Sequence, residues 1–132
     1  MSGGDIPIKI EIFGVANLEG YIDRIFAPLS ADSVLEKMPF ALRGRFSFGT
    51  KKYWTLLGLG LREGTNNKSI NIVEKGEIVY NPKTDELIFV LENNVELPNK
   101  VNKVGKITSN LDSVVNARNG LNTKIYKMKK KQ

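Results

Sequence analysis

The chain of 132 residues contains no cysteine and no histidine. Those two absences remove whole classes of chemistry. Without cysteine there is no disulfide, no thiol nucleophile and no zinc finger, and without histidine there is no Ser–His–Asp triad, histidine base or imidazole-ligated metal. Any metal would have to be a hard cation held by oxygen. No apolar run approaches the ~18 residues needed to span a bilayer. The first ten residues, MSGGDIPIKI, lack the basic-then-apolar order of a secretory signal. These features lead us to expect a soluble, cytoplasmic protein with no membrane association and no cofactor.

Acidic residues are outnumbered, giving a net charge of +6. The excess is local: Lys127, Lys129, Lys130 and Lys131 crowd the end of the chain, and without these four the body carries only +2. A basic tail of this kind can contact phosphates. It has no interleaved aromatics on which bases would stack, so a solubilising terminus is the simpler expectation and nucleic-acid binding the alternative.

The length suits one domain, residues 1–132, with one core. Ile6, Ile8, Ile10 and Ile12 recur with period two, which predicts a half-buried strand. A second strand is expected from Leu18 to Phe26, antiparallel to the first and stopped by Pro28. Ser30–Met38 reads as a short helix with Ser30 or Asp32 as N-cap and Val34, Leu35 and Met38 on one face; Pro39 ends it. Phe46 and Phe48 alternate with Arg45 and Ser47 in a strand, and Gly49–Lys52 is a turn leading into a return strand, Tyr53–Leu57. Gly58–Lys68 is rich in Gly, Asn and Thr and predicts a mobile surface loop, with Arg62, Glu63, Asn66 and Asn67 as groups for a ligand lid.

Further strands are expected at Ile70–Val73, Glu77–Tyr80, Leu87–Leu91 and Lys103–Ile107. Leu87–Leu91 is apolar on both faces, as a strand buried on both sides would be. Glu92–Asn99 reads as a polar connection. Ser109 and Asp112 suggest a capping pair for a second helix closed at Asn119-Gly120, and Thr123–Met128 a last strand. About eight strands and two short helices predict a mainly β, closed barrel, because closure removes sheet edges.

Several runs carry a family resemblance. They are Met38-Pro39-Phe40, Gly49-Thr50-Lys51-Lys52-Tyr53, Val73 to Pro82 (VEKGEIVYNP), Glu86 to Val90 and Val101 to Ile107 (VNKVGKI). In this order the chain resembles the small prokaryotic cyclophilin-like barrel proteins over roughly residues 6–128. That resemblance implies a cyclophilin-like barrel with a ligand groove. It also implies a departure: the Phe-His-Arg strand and Gln-Gly-Gly-Asp run of cyclophilin isomerases have no counterpart here. Arg43 and Arg45 lie in about the matching region, with Phe46 and Phe48 alongside. The Gly76–Pro82 hairpin is similar to that of cupins, but metal cupins need histidine.

The candidate ligand groove is therefore Arg43, Arg45, Phe46, Phe48 and Trp54, with Tyr53 beside them. A guanidinium near a proline nitrogen plus an apolar seat for the ring can lower the amide rotation barrier of about 18–20 kcal/mol, so Arg45 is the one candidate for a catalytic role. The expected function is a module binding a peptide or small molecule, with a weak peptidyl-prolyl isomerase as alternative. The competing reading puts the aromatics in the core and Arg45 on a solvated exterior. Glu74, Glu77, Asp85 and Glu86 gather around one hairpin, where paired carboxylates can do acid–base work or hold a hard cation; a solvated hairpin is the plainer expectation. Gly58-Leu59-Gly60 neither follows a βα unit nor opens a helix, so it is no dinucleotide fingerprint.

Overall fold

The computed structural model describes residues 5–47, 50–61 and 63–128. Its strands are β1 (Ile6–Ile12), β2 (Ala16–Ile22), β3 (Phe40–Phe46), β4 (Tyr53–Leu57), β5 (Ile70–Val73), β6 (Glu77–Asn81), β7 (Glu86–Val90), β8 (Val95–Ser109) and β9 (Asn122–Lys127). One α-helix, α1 (Pro28–Lys37), precedes β3, and one 3₁₀ helix (Leu111–Asn116) precedes β9. Eight strands close an antiparallel ring in the order β2-β1-β9-β3-β4-β7-β6-β8, with β8 pairing back to β2; β5 pairs only with the first half of β8. The expected closed, mainly β barrel is the observed architecture.

Alternation along the strands explains the interior. Ile8, Ile10 and Ile12 of β1 point inward with Leu18 and Ile22 of β2, Ile78 and Tyr80 of β6, Leu87 and Phe89 of β7 and Ile125 of β9. From outside the ring, α1 adds Ala31 and Val34 to this cluster and the 3₁₀ helix adds Val114. The opposite faces of β6 and β7 carry apolar residues too. Val79, Ile88 and Val90 form a second cluster with Val73, Val95, Leu97 and Val101, because β5 and the first half of β8 fold over them. That overlay is why Leu87–Val90 carries no polar alternation.

The barrel closes where two backbones nearly touch. Gly20 of β2 lies over the carbonyl of Lys106, and Gly105 of β8 lies over the carbonyl of Tyr21, so a Cβ at either position would collide with main chain. Here the register slips between Glu19 and Gly20, and again between Ile78 and Val79 on the other side of β8. Both irregularities put the extra residue in β8, which bends it around the barrel.

Three local expectations are corrected. Helix α1 begins two residues early, with Ala27 as N-cap and no side-chain cap; Pro28 supplies the preset φ of a first helical turn. Ser30 is instead buried, and Asp32 makes a two-pronged bond to Arg24 at 2.7 and 2.9 Å. The polar Glu92–Asn99 connection is half strand, since Val95 and Leu97 are buried beneath β5 and pull Val95 to Ser109 into one strand. The second helix is a single 3₁₀ stretch entered through Asn110 in the left-handed region, φ 60°. Ser109 accepts the Glu19 amide across the bulge rather than capping, and Asp112 pairs with Lys75 at 3.1 Å.

Asn102 ties the pieces together. It is 2 % exposed. Its amide donates to Ser30 Oγ and to the Gly64 carbonyl, both at 2.8 Å, and its oxygen accepts from Ser69 Oγ at 2.6 Å. Helix α1, the 58–69 loop and β8 thus share one saturated side chain.

Two substitutions test these constraints. Gly105→Ala should lower stability by about 1–3 kcal/mol, the range for overpacking, read as a lower urea midpoint at constant slope; Gly64→Ala, which has open space around it, should stay within about 0.5 kcal/mol. Asn102→Ala should cost about 1–3 kcal/mol by leaving the buried Ser30 hydroxyl without its donor and opening the tie to Gly64 and Ser69, in the same assay.

Candidate functional site

The β3–β4 hairpin sets Arg45 opposite Thr55 and Phe46 opposite Trp54. Adjacent residues of a strand face opposite sides, so Arg45, Tyr53 and Thr55 stand outside the barrel while Phe46 and Trp54 turn inward. An open depression of about 520 Å³ forms on the outer face, lined by Arg45, Phe46, Ser47, Tyr53, Thr55, Glu86 and Asn119.

The polar groups there are unevenly engaged. Glu86 accepts from Thr55 Oγ1 at 3.0 Å and from Thr84 Oγ1 at 2.6 Å, one hydroxyl on each oxygen. Asn119 Oδ1 accepts the Phe46 amide at 2.9 Å. Arg45 is exposed and, among the described residues, its guanidinium makes no ion pair or hydrogen bond. Burial pushes the Tyr53 phenol above its usual range, the Glu86 charge adds to this and the Arg45 charge opposes it. The phenol is therefore a protonated donor at neutral pH.

The sequence candidates are placed as follows. Arg45 and Phe46 both line the depression, Phe46 with only 9 % of its surface showing. Trp54 is fully buried beneath, edge-on to Phe46 at 4.9 Å between centroids, with its indole N–H on Thr123 Oγ1 at 3.1 Å and its ring over Gly44. Arg43 is exposed to one side and donates to the Gly120 carbonyl at 3.1 Å. Phe48 lies outside the described residues. Sequence reasoning missed Thr55, Glu86 and Asn119 as neighbours of Arg45 in the depression. Period two was the available signal: on β4 it turns Trp54 inward between Tyr53 and Thr55.

The expected mobile loop is instead anchored. Leu59 is fully buried, the Gly60 and Leu61 amides donate to Asp85 at 2.6 and 3.1 Å, and Ser33 Oγ donates to Glu63 at 2.6 Å. Asn66 donates to the Phe26 carbonyl at 3.0 Å. This loop lines a separate cavity of about 320 Å³ against α1 rather than the depression at Arg45. Arg62 lies outside the described residues.

The hairpin carboxylates do not converge. Glu74 accepts the Asn94 amide, Glu77 accepts the Glu74 amide and pairs with Lys103 at 2.8 Å, and Asp85 holds the loop and the Tyr80 hydroxyl. Among the described residues, no group of three or more acidic side chains is arranged to hold a metal ion, and no helix is long and apolar enough to cross a membrane. Of the basic tail, Lys127 ends β9 and Lys129–Lys131 lie outside the described residues.

No protein-family model matches the sequence, and no curated protein matches it. Solved structures do. The solution structure of a hypothetical protein from Archaeoglobus fulgidus superimposes with a TM-score of 0.74 at 13 % identity, over 96 % of this chain and 98 % of that one. The structure of McbB in complex with tryptophan gives 0.72 at 10 % identity, over 95 % of this chain and 46 % of that one. At such identities the likeness is one of fold: this chain is similar to a small, uncharacterised barrel protein. The narrower cyclophilin-like designation rests on the sequence motifs alone.

One titration follows from the Tyr80–Asp85 bond of 2.6 Å. Burial, then the bond to Asp85, raises the Tyr80 phenol above its ordinary value of 10.0. The unfolded chain loses this proton first, so the contribution is intact below about pH 10 and declines above it as the pH climbs toward the folded value. In Tyr80→Phe the fall in urea midpoint between pH 9.5 and 11 should be shallower than in the parent, with a lower midpoint at neutral pH.

Proposed function

We propose that the protein is a cyclophilin-like binding module, and that the depression on the β3–β4 hairpin takes a short peptide or small molecule. The observation that carries this reading is Arg45, an exposed guanidinium without a partner among the described residues, set beside Tyr53 in a concave surface of about 520 Å³. A rigid strand pair holds both, so little ordering is needed on binding.

Isomerisation asks for more. It needs an apolar seat for the proline ring next to the guanidinium, and this wall is Ser47, Thr55, Glu86 and Asn119, with the Tyr53 ring and the 9 % of Phe46 that shows as its only aromatic surface. Trp54, the largest aromatic of the hairpin, faces the core. Binding without catalysis is therefore the reading we favour.

An NMR titration with a short Ala-Pro peptide tests it. Amide shifts should map to Arg45, Tyr53, Thr55 and Asn119, with no catalysed exchange between the cis and trans peptide. Arg45→Ala should weaken binding roughly three- to tenfold, as loss of a partly solvated charged hydrogen bond would. Catalysed exchange that disappears in Arg45→Ala would instead make the protein an isomerase.

A further inference from the structure

The outer depression holds more donors than acceptors. Besides the Arg45 guanidinium, the Tyr53 hydroxyl and the Asn119 amide nitrogen have no hydrogen-bond partner among the described residues. The one carboxylate present, Glu86, has a threonine hydroxyl on each oxygen and lies beyond ion-pairing distance of Arg45. The site therefore presents a planar fork of N–H groups, a hydroxyl and an amide to whatever enters, with one fixed negative charge at its edge.

From this we infer that the ligand carries a carboxylate, seated on Arg45, Tyr53 and Asn119. The inference rests on the binding reading above and names the chemical class it takes. A carboxylate matches the guanidinium fork with two parallel hydrogen bonds. A phosphate fits less well: it brings close to two negative charges to a site where, among the described residues, Arg45 is the unpaired cation and Glu86 is nearby. A phenol is protonated throughout the neutral range, and burial and the Glu86 charge, against the Arg45 charge, push Tyr53 further in that direction, so its hydroxyl can donate. Lys51, with its Nζ 5.0 Å from the Phe46 ring centroid and donating to the Val115 carbonyl at 2.8 Å, adds positive potential beside Phe46.

The carboxylate can belong to a peptide C-terminus or to a small organic acid. Three probes separate these and test the class: acetyl-Ala-Pro-Phe as free acid, the same peptide as its C-terminal amide, and N-acetylphenylalanine. Each is titrated into the full chain and followed by amide shifts, with inorganic phosphate as competitor. The free acid should bind about fivefold or more tighter than the amide, and the difference should shrink at high salt. Glu86→Gln, which removes the edge charge and keeps the shape, should tighten the acid more than the amide. Arg45→Gln should erase the difference between acid and amide. Equal binding of N-acetylphenylalanine and the free peptide acid assigns the site to small acids, and binding of the peptide alone assigns it to C-termini.

Acid and amide binding equally at the groove overturns the carboxylate inference while the groove reading stands. Phosphate displacing the acid at lower concentration than the acid itself requires also overturns it. Shifts on another surface, or none with any probe, overturn the groove reading as well.

Discussion

The seam between β2 and β8 is the constraint on which the rest depends. An antiparallel sheet with apolar residues on one face is stable only when that face is covered and its edges are occupied. Here the sheet covers itself by curling until its first hairpin meets β8. The two backbones can come that close only because Gly20 and Gly105 place no Cβ between them. Once the seam is made, the inward faces of the strands become a single core and the outward faces become a continuous exterior.

Closure also decides what happens to β8. Its second half is committed to β6 and β2, while its first half leaves the ring and folds back with β5 over the outside of β6 and β7. That overlay creates the second core and buries the strand pair that carries Ile88 and Val90 on both sides. Asn102 sits where the two halves meet, and its bonds to Ser30, Gly64 and Ser69 hold α1 and the 58–69 loop to that junction. A loop whose composition suggests mobility is thereby fastened at both ends, by Asn102 and by Asp85.

The outer groove draws its character from the same alternation. Phe46 and Trp54 pack inward as an edge-on pair, which stiffens the hairpin from below. Their neighbours Arg45, Tyr53 and Thr55 are consequently presented outward on a support that does not need to move. Each oxygen of Glu86 accepts a threonine hydroxyl rather than the Arg45 guanidinium, so two opposite charges share one depression without pairing.

How much of this was legible in the residues depends on the range of the interaction. Period two in Ile6–Ile12, the turn chemistry around Lys75-Gly76 and the double-faced Leu87–Val90 are local patterns, and they determined the strands, the mainly β class and the need for closure. Absence of histidine and cysteine determined which chemistries are out of reach. Arg45 was visible as a cation among aromatics. What the tertiary structure decided is non-local. It extended β8 through a polar stretch, because burial under β5 outweighs local polarity. It made a 3₁₀ turn where a capped helix was expected, since Ser109 is used by β2. It split the aromatic-basic cluster between core and surface, and it brought Glu86 and Asn119 to Arg45 from positions 41 and 74 residues away in the numbering of the chain. Pairing partners of this kind are set by which strands the closed ring makes neighbours, and a single sequence carries no direct record of that.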